Sequence, residues 1–162
     1  MSVKPIPDGY TTVTPYLVVD KAAEAIDFYK RAFGAQEIVR MAGPMGKIMH
    51  AELKIGNSMI MLGDEMPGTG ARSPHSLGGT SSGIMLYLND VDATFAQAVS
   101  AGANVEMPLD NMFWGDRYGK LLDPFGHSWA LATHVEDVAP ADMKVRMEEA
   151  MAKMGQRRQS AT

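Results

Sequence analysis

Cysteine is absent from the 162-residue chain. That excludes a disulfide framework, a thiol nucleophile and any zinc–thiolate site. No apolar run approaches the roughly 20 residues that span a bilayer. The N-terminus, Met1-Ser2-Val3-Lys4-Pro5-Ile6-Pro7, lacks a basic-then-apolar leader pattern. A cytoplasmic protein without membrane association is expected. Positive charge is also scarce, with 15 Lys and Arg against 19 Asp and Glu. Nucleic acid requires a concentrated basic face, and the basic residues near the C-terminus, Lys153, Arg157 and Arg158, follow Glu148 and Glu149 as on a solvated helix. No nucleic-acid partner is expected. Gly68-Thr69-Gly70 and Gly78-Gly79 lack the lysine and the strand-to-helix setting of a phosphate loop. No nucleophile-elbow pattern is present.

Methionine is abundant, at 14 residues. Its flexible, polarizable side chain fills irregular cores or lines adaptable pockets. Two stretches of the chain resemble each other. Pro15 to Asp20 reads as a strand with a capping Asp, followed by an amphipathic helix to Gly34 and a second strand from Ala35 to Val39. Ile84 to Asp90 repeats this, with a helix to Gly102 and a strand from Ala103 to Met107. Asp20 and Asp90 are expected to cap the helices and the two glycines to end them. Ala22, Ala25, Ile26, Tyr29 and Phe33 make one apolar helix face, and Val91, Phe95, Ala98 and Val99 make the other.

Strands fill the rest of each half. Lys47 to Ile55 alternates, with His50, Glu52 and Lys54 on one face; Gly56-Asn57 turns the chain into Ser58 to Leu62. Asp116 to Leu122, the turn Asp123-Pro124-Phe125-Gly126, and Ser128 to His134 repeat the pattern. The expected domains are a βαβββ module with an N-terminal arm at 1–66, a linker at 67–82, a second module at 83–136, and a C-terminal helix with a disordered tail at 137–162. Met143, Met147, Ala150, Met151 and Met154 are expected to share one face of that helix.

Ala25-Ile26-Asp27-Phe28-Tyr29 with Phe33-Gly34, and Trp114-Gly115-Asp116-Arg117 followed by Asp123-Pro124-Phe125-Gly126-His127, carry a family resemblance. The chain resembles the vicinal oxygen chelate superfamily, which includes glyoxalase I, extradiol dioxygenases, fosfomycin-modifying enzymes and bleomycin-binding proteins. It is most similar to the PhnB-like branch, over roughly residues 10 to 135. The resemblance implies an α+β fold: tandem βαβββ modules forming a cup-shaped mixed sheet with helices outside, around one ligand cavity. It also implies a homodimer.

Metal-using relatives carry His or Glu at four inward positions. Aligned by these motifs, the positions fall at Thr14, Met61, Gly83 and Ala130. None is a ligand of the imidazole or carboxylate type. A one-residue slip substitutes Val13 or Pro15, Ile60 or Leu62, Ser82 or Ile84, and Trp129 or Leu131, which are no better. No cofactor and no metal are expected, nor metal-dependent glyoxalase I activity. A relocated site at His50, Glu52 and His134 is the alternative; His75 and His127 read as structural or exposed. Glu52 beside His50 is also a candidate general base, since burial raises a carboxylate's pKa.

Met112 to Tyr118 is the densest functional stretch. Phe113, Trp114, Arg117 and Tyr118 offer flat contact area and an anion-binding guanidinium. They line the cavity, or else the aromatics plug the end of the cup while Asp116 and Arg117 pair locally. Met59 and Met61 share one strand face, and Met85 and Tyr87 another, giving an apolar, adaptable wall. The expected function is metal-free binding of a small amphipathic or aromatic molecule by His50, Glu52, Met59, Met61, Met85, Tyr87, Phe113, Trp114, Arg117 and Tyr118. The alternative is a lyase, isomerase or transferase of the glyoxalase kind, using the relocated metal or Glu52/His50 acid–base chemistry.

Overall fold

The computed structural model describes residues 3–159, with side chains described as far as Lys153. The first module runs β1 (Tyr16–Val19), α1 (Ala22–Phe33), β2 (Gln36–Ala42), β3 (Ile48–Ile55) and β4 (Ser58–Asp64). The linker holds one short helix, α2 (Pro74–Leu77). The second module runs β5 (Gly83–Tyr87), α3 (Val91–Ala101), β6 (Asn104–Asn111), β7 (Asp116–Leu122) and β8 (Ser128–His134). Helix α4 (Pro140–Gln159) follows.

Each module is a four-stranded mixed sheet, ordered β1-β4-β3-β2 and β5-β8-β7-β6. The first strand lies parallel to the last, and the other pairs are antiparallel. This is the tandem βαβββ α+β fold that the repeated pattern predicts. Alternation decides which face is buried. Ala51, Leu53 and Ile55 on β3, Ile60 and Leu62 on β4, and Leu17 and Val19 on β1 pack beneath α1. Leu121, Trp129 and Leu131 do the same in the second module. All five apolar residues expected on α1 are buried; on α3, Val91, Phe95 and Ala98 are buried and Val99 is exposed.

The helix-facing sides of both sheets share a single core with α1 and α3. Trp129 of β8 packs at a tilt against Tyr29 and Phe33 of α1, with ring centroids 5.3 and 4.6 Å apart. Gln97 of α3 donates to the carbonyls of Arg31 and Ala32 at the end of α1. His127, in the turn before β8, bonds the Val18 carbonyl of β1 at 3.0 Å. The modules are thus joined back to back through their helix-facing sides, and the opposite face of each sheet is the cup face.

Gly34 ends α1 in the left-handed conformation, φ 65°, as expected of a stop glycine. Asp90 caps α3 by accepting from the Ala93 N–H at 2.9 Å. Asp20 does not cap α1. The buried carboxylate of Asp64, at the end of β4, takes the Ala22 N–H at 3.0 Å and the Ile48 N–H at 2.7 Å. Asp20 instead bonds His75 of α2 at 3.1 Å. On α4, Met143, Met147 and Ala150 are half-buried and Met151 is exposed. The side chain of Met154 and the residues 160–162 lie outside the described residues.

Candidate functional site

The two cup faces carry different chemistry. In the first module, strand parity puts Tyr16, His50, Glu52, Met59 and Met61 on the cup face. Tyr16, Met61 and Glu52 lie abreast on β1, β4 and β3. The Tyr16 ring stacks on His50 at 5.9 Å. His50 Nε2 meets Glu52 Oε1 at 3.2 Å, and Tyr10 of the N-terminal arm donates its hydroxyl to Glu52 Oε2. Burial and then the Glu52 carboxylate push the Tyr10 phenol up to about 12. Met59 is buried, although it lies outside the shared core.

Glu52 moves the other way. The hydrogen bonds from Tyr10 and His50 hold its carboxyl below the usual range, and burial opposes them without winning. A carboxylate depressed in this way is a weaker base than an ordinary one. The raised pKa that would favour Glu52 as a general base at neutral pH is not the one its surroundings produce.

In the second module, Met85, Tyr87, Asp116, Tyr118, Ala130 and His134 share the cup face. It is more open: Tyr87 is 66% exposed and Met85 38%. Its organising group is Asp116, whose side chain is 4% exposed. Asp116 Oδ1 bonds His134 Nδ1 at 2.7 Å; Oδ2 accepts from Trp114 Nε1 at 2.9 Å and from the Tyr87 hydroxyl at 3.1 Å. Trp114 in turn meets Phe113 and Tyr118 edge to face, at 5.0 and 5.6 Å. Burial alone would raise the Asp116 pKa, but the bonds from His134, Trp114 and Tyr87 outweigh it and leave the carboxyl below its ordinary value. The bonds to Asp116 and then Asp137 raise His134.

Sequence reasoning did not single out Asp116 as a site residue. The available signals were the Trp-Gly-Asp run and the matching parity of Asp116 on β7 with His134 on β8, which lie directly opposite. Arg117 points the other way. It grips Asp92 of α3 with two bonds of 2.6 Å, on the helix side of the sheet. Arg117 therefore does not join Tyr118 on the cup face, and its partner is Asp92 rather than Asp116. The structure brings Tyr87, Trp114 and Tyr118 together, with Phe113 against Trp114, and keeps His50 and Glu52 together in the other sheet.

The donors at the family's metal positions do not suit a divalent ion. Met61 offers a thioether, Ala130 a methyl group, Gly83 only backbone, and Thr14 a hydroxyl that donates to the Thr11 carbonyl at 3.4 Å. His50 and Glu52 meet, but His134 belongs to the second sheet, with Asp116 and Asp137 on its two ring nitrogens. Among the described residues, no three His, Cys, Asp or Glu side chains converge as metal ligands would. Two cavities of about 500 and 600 Å³ flank the linker, lined in part by Lys47, Glu65 and Arg72 and by His75, Glu106 and Asp123. None of the expected ligand-binding residues lines either one. No helix among the described residues is long and apolar enough to cross a membrane.

Two mixed βαβββ sheets built back to back define a glyoxalase-type fold, and comparison with known proteins agrees. The profile of the Glyoxalase/Bleomycin resistance protein/Dioxygenase superfamily matches residues 9–131, and the chain belongs to that superfamily. An uncharacterized protein of Mycobacterium bovis is 47% identical over 138 residues, covering 83% of this chain and 91% of the relative. The crystal structure of TioX from Micromonospora superposes with a TM-score of 0.63 at 27% identity, covering 77% of this chain and 99% of that one. A PhnB protein from Bacillus cereus, described as a putative 3-demethylubiquinone-9 3-methyltransferase, shares the fold at a TM-score of 0.57 and 21% identity, covering 76% and 99%.

Proposed function

We propose that this protein binds a small aromatic or amphipathic molecule on its cup faces without a metal ion, as a homodimer whose second copy closes the cup. The observation that carries this reading is the exposed apolar wall of Tyr87 and Met85, backed by Trp114 and Tyr118. Aromatic rings and thioethers left uncovered on a built sheet face are costly in water unless something is meant to cover them. Tyr16, also half-exposed, offers a matching ring on the first sheet. The back-to-back joining of the modules turns the two cup faces away from their shared core, so a second copy is the natural source of the opposite wall.

Methionine-methyl NMR tests the reading. Titration with 2-naphthalenemethanol, a neutral fused-ring amphiphile, is expected to shift the Met61 and Met85 methyls saturably and to leave Met151 unmoved. A folded protein whose Met61 and Met85 signals do not respond overturns it. Sedimentation at roughly tens of micromolar is expected to give a dimer; a monomer removes the closed cup.

A further inference from the structure

We infer that His134, aimed by the buried carboxylate of Asp116 and walled by Tyr87 and Trp114, is an acid-recognition subsite of the cup that takes the carboxylate or phenolate of an aromatic ligand. The inference rests on the binding function proposed above. Asp116 itself is withheld from a ligand, because its side chain is only 4% exposed and both its oxygens already accept from His134, Trp114 and Tyr87. Its effect falls on the imidazole. A ring bonded to a carboxylate through Nδ1 carries its proton there, which leaves Nε2 as the working atom.

Nε2 already meets an acid. Asp137, whose side chain is fully exposed, sits 3.1 Å from it. Asp137 belongs to the stretch between β8 and α4, outside any regular element. An ion pair this exposed is weak and open to exchange. The chain's own carboxylate therefore marks where a ligand's acid group would sit. Tyr87, on the strand next to β8, is 66% exposed and its hydroxyl is tied to the same Asp116. Together these groups hold an oxyanion at one end and a flat apolar body at the other.

The other charges nearby leave the subsite to an anion. Glu136 is occupied by Arg146 through bonds of 2.8 and 2.5 Å. Lys120 faces Glu106 at 3.7 Å, near the far end of β7. The bonds from Asp116 and Asp137 raise the His134 pKa and favour the imidazolium, which would repel a cationic ligand and attract an acidic one.

The test compares 2-naphthoate with 2-naphthalenemethanol, which share a ring system and differ in the acid, on the full chain near pH 6. Binding is followed by the ring resonances of His134 and the methyl of Met85. Naphthoate is expected to bind about 10-fold more tightly, the effect of one charge-assisted bond. H134Q should abolish that preference. D137N, which removes the competing carboxylate, should strengthen naphthoate binding and leave the alcohol unchanged. D116N should lower the His134 titration midpoint and weaken the preference with it. If the alcohol binds and naphthoate gains nothing, the subsite fails while the binding function stands. If neither probe shifts His134, Met85 or Met61, both fail. A naphthoate preference that survives H134Q places the acid elsewhere and overturns the assignment. Should H134Q not fold, the D137N gain and the fading of the preference as pH rises through the His134 titration decide alone, and the absence of both overturns it.

Discussion

Tyr29 donates its hydroxyl to Asp123 at 2.7 Å, tying the helix of the first module to the turn before the last strand of the second. Asp123 is buried and also accepts from Trp129 Nε1, Phe125 N and His127 N, each at 2.9 Å. Burial and then the neighbouring carboxylate push the Tyr29 phenol well above its ordinary pKa. Tyr29→Phe removes one of four donors to a charged acceptor, which costs about 1.5–3 kcal/mol. Asp123→Ala strands several buried donors and should cost more. Urea denaturation checks both, and a wild-type midpoint for the two variants would deny the tie between modules.

The Asp116–His134 pair makes stability depend on pH with a definite sign. The folded His134 pKa lies above its unfolded value of about 6.5. Its contribution is complete below that value and is lost as pH rises through the folded pKa. The folded Asp116 pKa lies below its unfolded value of about 3.9. Its contribution is present above that value and is lost as pH falls through the folded pKa. The pair therefore stabilises most between about pH 4 and 6.5. Wild type and H134Q should differ most in denaturation midpoint inside this window and converge on the alkaline side. A difference that grows as pH rises above about 6.5 would contradict the pairing.

Glu52 gives a second, separate titration. Tyr10 is the largest influence lowering its pKa, so Tyr10→Phe should move the Glu52 side-chain titration upward in carboxyl-carbon NMR. The stability Glu52 supplies is present above about pH 4.3 and disappears as pH falls through its folded value. Y10F should lose part of that acid-limb dependence, and an unmoved Glu52 midpoint would show that the arm does not hold this carboxylate in solution.

Arg117→Ala is expected to leave binding of 2-naphthalenemethanol unchanged, because the guanidinium lies on the helix side with Asp92. Its loss should barely move the denaturation midpoint, as for other solvent-accessible ion pairs. A large loss of probe affinity in R117A would return this residue to the cup.

Supplying Ni(II) or Zn(II) is not expected to produce glyoxalase I turnover of the glutathione hemithioacetal. A divalent ion placed among Thr14, Met61, Gly83 and Ala130 would give up water without gaining carboxylate or imidazole. Turnover that appears with metal and vanishes with a chelator would refute this assignment of the four positions.

The alternation of β3, the Gly56-Asn57 turn and the stop at Gly34 follow from local rules, so the module pattern was legible in the sequence. The capping of α1 was not: Asp64 reaches its N-terminus from the far end of β4, and local spacing points to Asp20 instead. Strand β6 continues through Pro108 to Asn111, past the expected end at Met107, because an edge strand can forgo an N–H donor on its open side. At the candidate site, the cluster of aromatics in 113–118 was visible as composition. The position of Arg117 required strand parity, since residues 116 and 118 face the cup and 117 must then face α3. The importance of Asp116 emerges only when Tyr87, Trp114 and His134 arrive from three separate segments.

The parallel pairing of β1 with β4 and of β5 with β8 also constrains how the chain acquires its shape. Each module's opening strand is an edge whose sole neighbour is that module's closing strand. On a ribosome, Tyr16–Val19 emerges long before Ser58–Asp64, and its ladder groups stay open throughout that delay. Such non-local closure slows folding and prolongs exposure to aberrant association. The nascent first half is therefore the interval in which a chaperone would matter most, and the second half meets the same delay again.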